Sequence, residues 1–284
     1  MALLVLIAAV VHVVAGADDC GMLQVTKVGS EAPTLPTSPD KVRLFCFSLL
    51  VPGTYEQDLL GMQSDMNAGI FQCDKFNVYS NSTIKLGELS ARLTHRLPFG
   101  VLQTTQFMGH AANTRIFVQL WRKLLDDKEW VHYDWTLKID PDSVFLPERF
   151  QQFALTDSVV KGAARTNGTI VRNVDNPYIG IYGAMEAISQ KAMQVYHGNF
   201  ATCQPEHPSE DVYIWHCLRK HLHIKTVDAT TALMEKQDGD QGWERCASAA
   251  LCFHPFKNSK AWRECHATAS ATPFDPMVFL SDQP

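Results

Sequence analysis

Asp140 and Asp142 stand one residue apart at the end of the mostly apolar run from Trp135 to Ile139. Two carboxylates at that spacing, directly after a stretch that reads as a buried strand, can both reach one hard divalent cation, and Pro141 restricts the backbone between them. A cation held there can in turn bind a diphosphate. The same triplet is also good turn chemistry, in which the acids merely solvate a bend. Further along, Glu210 and Asp211 open a helix-like segment. There Asp211 can serve only the helix dipole, with Ser209 as the cap. His254, between Phe253 and Phe256, is equally readable as a core imidazole, and Lys257 as a solvated surface charge.

The eight cysteines, Cys20, Cys46, Cys73, Cys203, Cys217, Cys246, Cys252 and Cys265, are an even set. In an oxidising compartment such a set favours disulfides. Cys203 with Cys217 is the first expected pair, because it closes a short loop around the acidic residues, and Cys46 with Cys73 is the second. A zinc site built from Cys246, Cys252, His254, Cys265 and His266 is the competing reading, but the chain has no Cys-x-x-Cys pair. Two sequons, at Asn81 and Asn167, fit the secretory route.

The elements that must position these residues follow from periodicity. Arg43 to Val51 is a continuous apolar run closed by Pro52 and Gly53, as expected of a strand buried on both faces. A helix is predicted from Tyr55 to Met66, a strand from Phe76 to Ser80, and an amphipathic helix from Thr114 to Asp127 carrying Ile116, Leu120 and Leu124. Trp135 to Ile139 and Val144 to Leu146 read as short strands, with Pro147 at the first turn of a helix through Ala154. Strand-like and helix-like material recurs to Phe253. The alternation predicts an α/β domain with a mostly parallel sheet flanked by helices. Ligands of such sheets bind outside the carboxyl ends of the strands, where Asp140 and Asp142 fall.

The chain has 284 residues, 46% hydrophobic, with a formal net charge of -5. That leaves no cationic excess for nucleic acid. Residues 1–17 are apolar apart from His12 and end in Ala15, Gly16 and Ala17, which reads as a cleaved signal peptide or an uncleaved signal anchor. Residues 18–41, rich in Pro, Thr and Ser, read as a flexible stem, followed by a domain over 42–257 and a tail over 258–284. A membrane is expected as a partner only if the first segment stays on. The expected location is the ER or Golgi lumen, or outside the cell.

Three ordered segments carry a family resemblance. Leu137, Lys138, Ile139, Asp140, Pro141, Asp142, Ser143, Val144 and Phe145 resemble the Asp-x-Asp region of GT-A glycosyltransferases of the Fringe and β-1,3-galactosyltransferase type. Glu210, Asp211, Val212 and Tyr213, ahead of Cys217 and Leu218, are similar to that family's acidic segment, and Phe253 to Lys257 to the place where it supplies a metal-binding histidine. The resemblance implies a GT-A-like fold and metal-dependent, inverting transfer of a sugar from a nucleotide diphosphate, UDP above all, to a hydroxyl of a glycan or glycoprotein. It implies that Asp142 and His254 bind Mn²⁺ or Mg²⁺. Asp140 would contact the metal's outer shell or the nucleotide ribose, and Asp211, or Glu210 beside it, would act as base. It further implies that the donor lies near Val51, Pro52 and Thr54, near Lys257, and near the stretch from Asp74 to Asn81. The chain departs from the family at Trp215, where a glycine is usual, and at Pro141, where a third acid is common. The alternatives are a secreted sugar-binding module on a decayed transferase fold, and a metal-dependent hydrolase using Asp140, Asp142 and His254.

Overall fold

Every residue of Leu44–Leu49 is buried, because the side chains of this strand, β1, alternate between two separate cores. Leu44 and Cys46 face the core that holds Leu137, Phe150 and Val171; Phe45, Phe47 and Leu49 face the one that holds Trp121, Ile188 and Ile214. A strand covered on both sides must be apolar throughout rather than at alternate positions. The computed structural model describes residues 41–98, 105–107, 110–176, 178–235 and 243–279, all of them within the unit Thr37–Pro284. The expectations for the apolar leader, for the stem up to residue 40 and for Cys20 lie outside the described residues.

After β1 come α1 (Tyr55–Met66), β2 (Lys75–Ser80), β3 (His95–Arg96), the antiparallel pair β4 (Thr105–Phe107) and β5 (His110–Ala112), and α2 (Thr114–Asp127). Next are β6 (Trp135–Ile139), β7 (Val144–Phe145), α3 (Pro147–Ala154), α4 (Asp157–Ala163), β8 (Thr169–Arg172), β9 (Met185–Ser189) and α5 (Gln190–Asn199). The chain continues through α6 (Glu210–His216), β10 (Lys225–Asp228), β11 (Leu233–Glu235), β12 (Cys252–His254) and α7 (Ser259–Ala271). Local chemistry sets several of these bounds. Thr54 caps α1 by accepting the Glu56 amide, Asn67 ends it in the left-handed region at φ 48, and Pro147 opens α3. One stripe of α2, with Phe117, Leu120, Trp121 and Leu124, is buried.

Seven strands make one sheet in the order β10-β8-β9-β6-β1-β2-β3, and every neighbour pairs parallel except β9, which runs antiparallel to β6 and β8. The protein is thus a mixed α/β domain with a mostly parallel central sheet flanked by helices. Because β9 is reversed, its first residue, Met185, pairs with the last of β6, Ile139. The segment entering β9 therefore lies beside Asp140. A second sheet, β11-β12-β7, has β12 parallel to β11 and antiparallel to β7.

The expected tail contains α7. Asn258 caps this helix by accepting the Ala261 amide, and Trp262, Cys265 and Ala269 are buried. Arg149 of α3 fastens its end by donating to the carbonyls of Ala269 and Thr272, and also to those of Ser248 and Ala250.

Cys203–Cys217 and Cys46–Cys73 are disulfides, as expected, and Cys246–Cys265 is a third. Each restricts the unfolded chain by about 3 kcal/mol on loop entropy. The even count does not carry through to Cys252, which is a free thiol sealed in the core, where burial pushes its ionisation up. The zinc alternative falls too, since a disulfide consumes Cys246 and Cys265. Three disulfides suit an oxidising secretory or extracellular setting. No helix among the described residues is long and apolar enough to cross a membrane.

Candidate active site

The turn after β6 is held on every side. The Ser143 amide closes it on the Asp140 carbonyl at 3.0 Å, and the Asp140 amide reaches the Ala184 carbonyl at 3.2 Å. Gln63 of α1 donates to the Pro141 carbonyl at 2.7 Å, and the indole N–H of Trp262 in α7 donates to the Ser143 carbonyl at 2.9 Å. Asp140 and Asp142 therefore stand on a rigid support rather than on a solvated bend. Burial tends to raise the Asp142 carboxyl, but the hydrogen bond and charge of His254 outweigh it and hold the group below its ordinary value.

His254 reaches Asp142 through the small sheet. Phe253 pairs with Val144 across β12 and β7, and the Phe256 amide donates to the Asp142 carbonyl at 2.8 Å. His254 Nε2 lies 3.2 Å from Asp142 Oδ1, and its Nδ1 lies 2.8 and 3.0 Å from the two carboxylate oxygens of Glu235. Burial would lower the imidazole, but hydrogen bonds to Asp142 and Glu235 raise it to about 10. The core-histidine reading does not describe it: both ring nitrogens meet carboxylates. The Tyr55 hydroxyl donates to Asp142 Oδ2 at 3.1 Å, and Lys257 Nζ lies 5.7 Å over the Tyr55 ring.

A second cluster adjoins the first. Lys138 sits one residue from the end of β6 with its ammonium 2.7 Å from Asp140 Oδ1 and 3.6 Å from both Glu186 and Glu210, and it also donates to the Gly183 carbonyl. Burial opposes its charge, but the three acids outweigh that and keep it protonated. Glu186 is fully buried, and burial together with the charge of Glu210 drives its carboxyl well up. Glu210 is committed: it accepts from the Trp121 indole at 2.8 Å, and its own amide donates to Asn113. Asp211 is less buried, and among the described residues its side chain accepts only the Val212 amide, at 2.8 Å. Burial, and then the charge of Glu210, raise the Asp211 carboxyl. Ser209 makes no side-chain cap, contrary to expectation; the Asn113 side chain takes the first amide instead. Gly183 lets these groups meet, since a Cβ there would lie 3.1 Å from the Lys138 ammonium and 3.6 Å from Asp211 Cβ.

Trp215 does not project into open space. Its ring is buried against Gly180, where a Cβ would fall 2.1 Å from the indole, so it packs directly on the segment leading to β9. On the other side, Val51, Pro52 and Thr54 form the turn leaving β1. Thr54 donates to the Val51 carbonyl, and the Val51 amide donates to Glu56. Asn81 follows β2 at the same edge of the sheet, half-buried. Asp74 is at the opposite edge, where it accepts the Leu44 amide and pairs with Lys41, so the expectation that it borders the donor is corrected. It precedes β2 rather than following it.

Glu56 gives a measurable consequence. Burial raises its carboxyl to about 7, with the Val51 amide opposing and the charges of Asp140 and Asp142 adding to the rise. A folded value above the ordinary 4.5 means that its contribution to stability is fully present below 4.5 and is lost as pH climbs through about 7. In chelator, Glu56→Gln, which cannot ionise, is expected to melt higher than wild type above that pH and equally below 4.5. Coincident melting curves above neutral pH would contradict this.

Asp140, Asp142 and His254 each offer one ligand atom, all within 4.8 Å of one another. Ligands of a hard cation sit at roughly 2.0 to 2.6 Å from it, so two atoms on one ion lie at most about 5 Å apart. Two carboxylates and an imidazole at this spacing can hold a divalent metal. Tyr55, Glu186 and Glu235 belong to the site without having been singled out in the sequence. Of these three, Glu186 carries a sequence signal, as an acid flanked by Met185, Ala187 and Ile188 in a buried strand.

No family model matches the chain, and no curated protein matches it. Among solved structures, the chain is similar to a glycosyltransferase involved in the glycosylation of the major capsid of PBCV-1. The identity is 12% and the TM-score 0.45, over 79% of this chain and 98% of that one.

Proposed function

We propose that the protein is a metal-dependent, inverting glycosyltransferase of the Fringe and β-1,3-galactosyltransferase type, with its transferase domain over residues 42–257. It moves a sugar from a nucleotide diphosphate, UDP foremost, to a hydroxyl of a glycan or glycoprotein in the secretory pathway. The observation that carries this reading is convergence. Segments around positions 140, 211 and 254, far apart in sequence, meet at the carboxyl edge of one sheet, with three metal-capable side chains within 4.8 Å.

In this reading Asp142, Asp140 and His254 hold Mn²⁺ or Mg²⁺, which when bound neutralises the departing diphosphate. Asp140 is also fixed by Lys138, and Val51, Pro52, Thr54 and Lys257 border the nucleotide. Asp211 accepts the proton of the attacking hydroxyl: it is the acid of the pair with carboxylate capacity to spare, and its raised ionisation suits a general base. Glu210 is a positioning residue, because Trp121 and Lys138 already occupy it. No covalent enzyme intermediate is needed.

Incubation with Mn²⁺, a panel of nucleotide sugars and a panel of glycan acceptors, followed by proton NMR, tests the reading. A new glycoside whose anomeric configuration is opposite to the donor's is expected. Free sugar alone, even with acceptors in excess, would mean hydrolysis, and no turnover of any donor would mean a binding module.

A further inference from the structure

We propose that Glu235 is a positioning residue for the metal: it fixes the His254 ring so that Nε2, and not Nδ1, is presented to the ion. The inference rests on the metal reading above and adds to it a residue outside the three ligands. The register of β11 on β12 pairs Glu235 with His254, and the carboxylate straddles the ring N–H, with its oxygens 2.8 and 3.0 Å from Nδ1. On the far side of the ring, Nε2 lies 3.2 Å from Asp142 Oδ1. A cation must displace the Nε2 proton to bind there; a carboxylate on Nδ1 holds the remaining proton on that nitrogen and leaves Nε2 as the only lone pair for the ion. The carboxylate's negative charge also makes Nε2 a stronger donor. Glu235 is not itself a ligand, because the imidazole stands between it and Asp142, and the metal-capable cluster among the described residues consists of Asp140, Asp142 and His254. The backbone supports the same orientation, since Arg245 donates to the His254 carbonyl at 2.8 Å and the Phe256 amide donates to the Asp142 carbonyl at 2.8 Å.

The test is titration of the full chain with Mn²⁺ alone, with free ion counted by electron paramagnetic resonance, at one pH and without nucleotide. Loss of such an outer partner typically weakens metal binding by about 10-fold to 100-fold. Glu235→Ala is expected to show a loss in that range while its melting temperature in chelator stays near that of wild type. Glu235→Gln keeps an oxygen for Nδ1–H but not the charge, and should fall between the two; it also serves where Glu235→Ala does not fold. Wild type that binds no Mn²⁺ would overturn the metal reading, and this role with it. Wild type that binds, with Glu235→Ala or its Gln substitute within about twofold of it, would overturn the role of Glu235 alone.

Discussion

Asp142→Ala is expected to abolish metal-dependent nucleotide binding. Among the described residues, Asp142 is the only acid that touches both His254 and Tyr55, and its carboxyl is held below the ordinary range, so it is charged wherever a cation would be sought. Removing it takes one of two anionic ligands from the ion and leaves Nε2 of His254 facing a void. Since outer partners alone are worth about 10-fold to 100-fold in metal affinity, a direct ligand should cost at least about 100-fold. Calorimetry of nucleotide binding with and without Mn²⁺ measures it. Asp142→Asn, which keeps an oxygen for the Tyr55 hydroxyl, separates the lost charge from lost packing and should fail almost as completely. Near-normal metal-dependent binding by both variants would remove Asp142 from the site.

The second large effect lies at Asp211. Asp211→Asn preserves shape and leaves the turn at Asp140 untouched, so donor affinity should persist while turnover falls by roughly 10² or more, the usual scale for a general base. Glu210→Gln should behave otherwise: its amide oxygen can still accept from Trp121, and the cost is a looser Lys138. Steady-state kinetics on both variants decide the matter. Near-normal turnover in Asp211→Asn with a dead Glu210→Gln would move the base one residue upstream, and activity in both would refute the mechanism.

The frame that positions these residues was largely legible in the chain, because it rests on local pattern. Tyr55–Met66, Thr114–Asp127, Trp135–Ile139 and Pro147–Ala154 were read with the bounds the structure gives them, each marked by a cap, a stripe, a proline or an unbroken apolar run. Asp140 and Asp142 were legible through their spacing after a strand, and His254 only through the family resemblance. What was not legible depends on partners distant in sequence. The reversal of β9 is a choice of pairing direction, and nothing inside Met185–Ser189 encodes it. The strand Thr169–Arg172 is too short for its period to speak. Glu235 becomes meaningful only when β11 lies against β12, and Tyr55 only when α1 meets the turn after β6. Trp215 stood out as a departure from the family pattern because its complement, Gly180, sits 35 positions earlier on a different segment.

The most direct test of the central claim is a calorimetric titration of the wild-type protein with UDP, GDP and their sugars, first with Mn²⁺ and then with chelator. The site geometry predicts saturable binding of one nucleotide class with Mn²⁺ and its loss in chelator. Binding that is equally tight in both conditions, or absent in both, would contradict a metal held by Asp140, Asp142 and His254 as the bridge to a diphosphate donor.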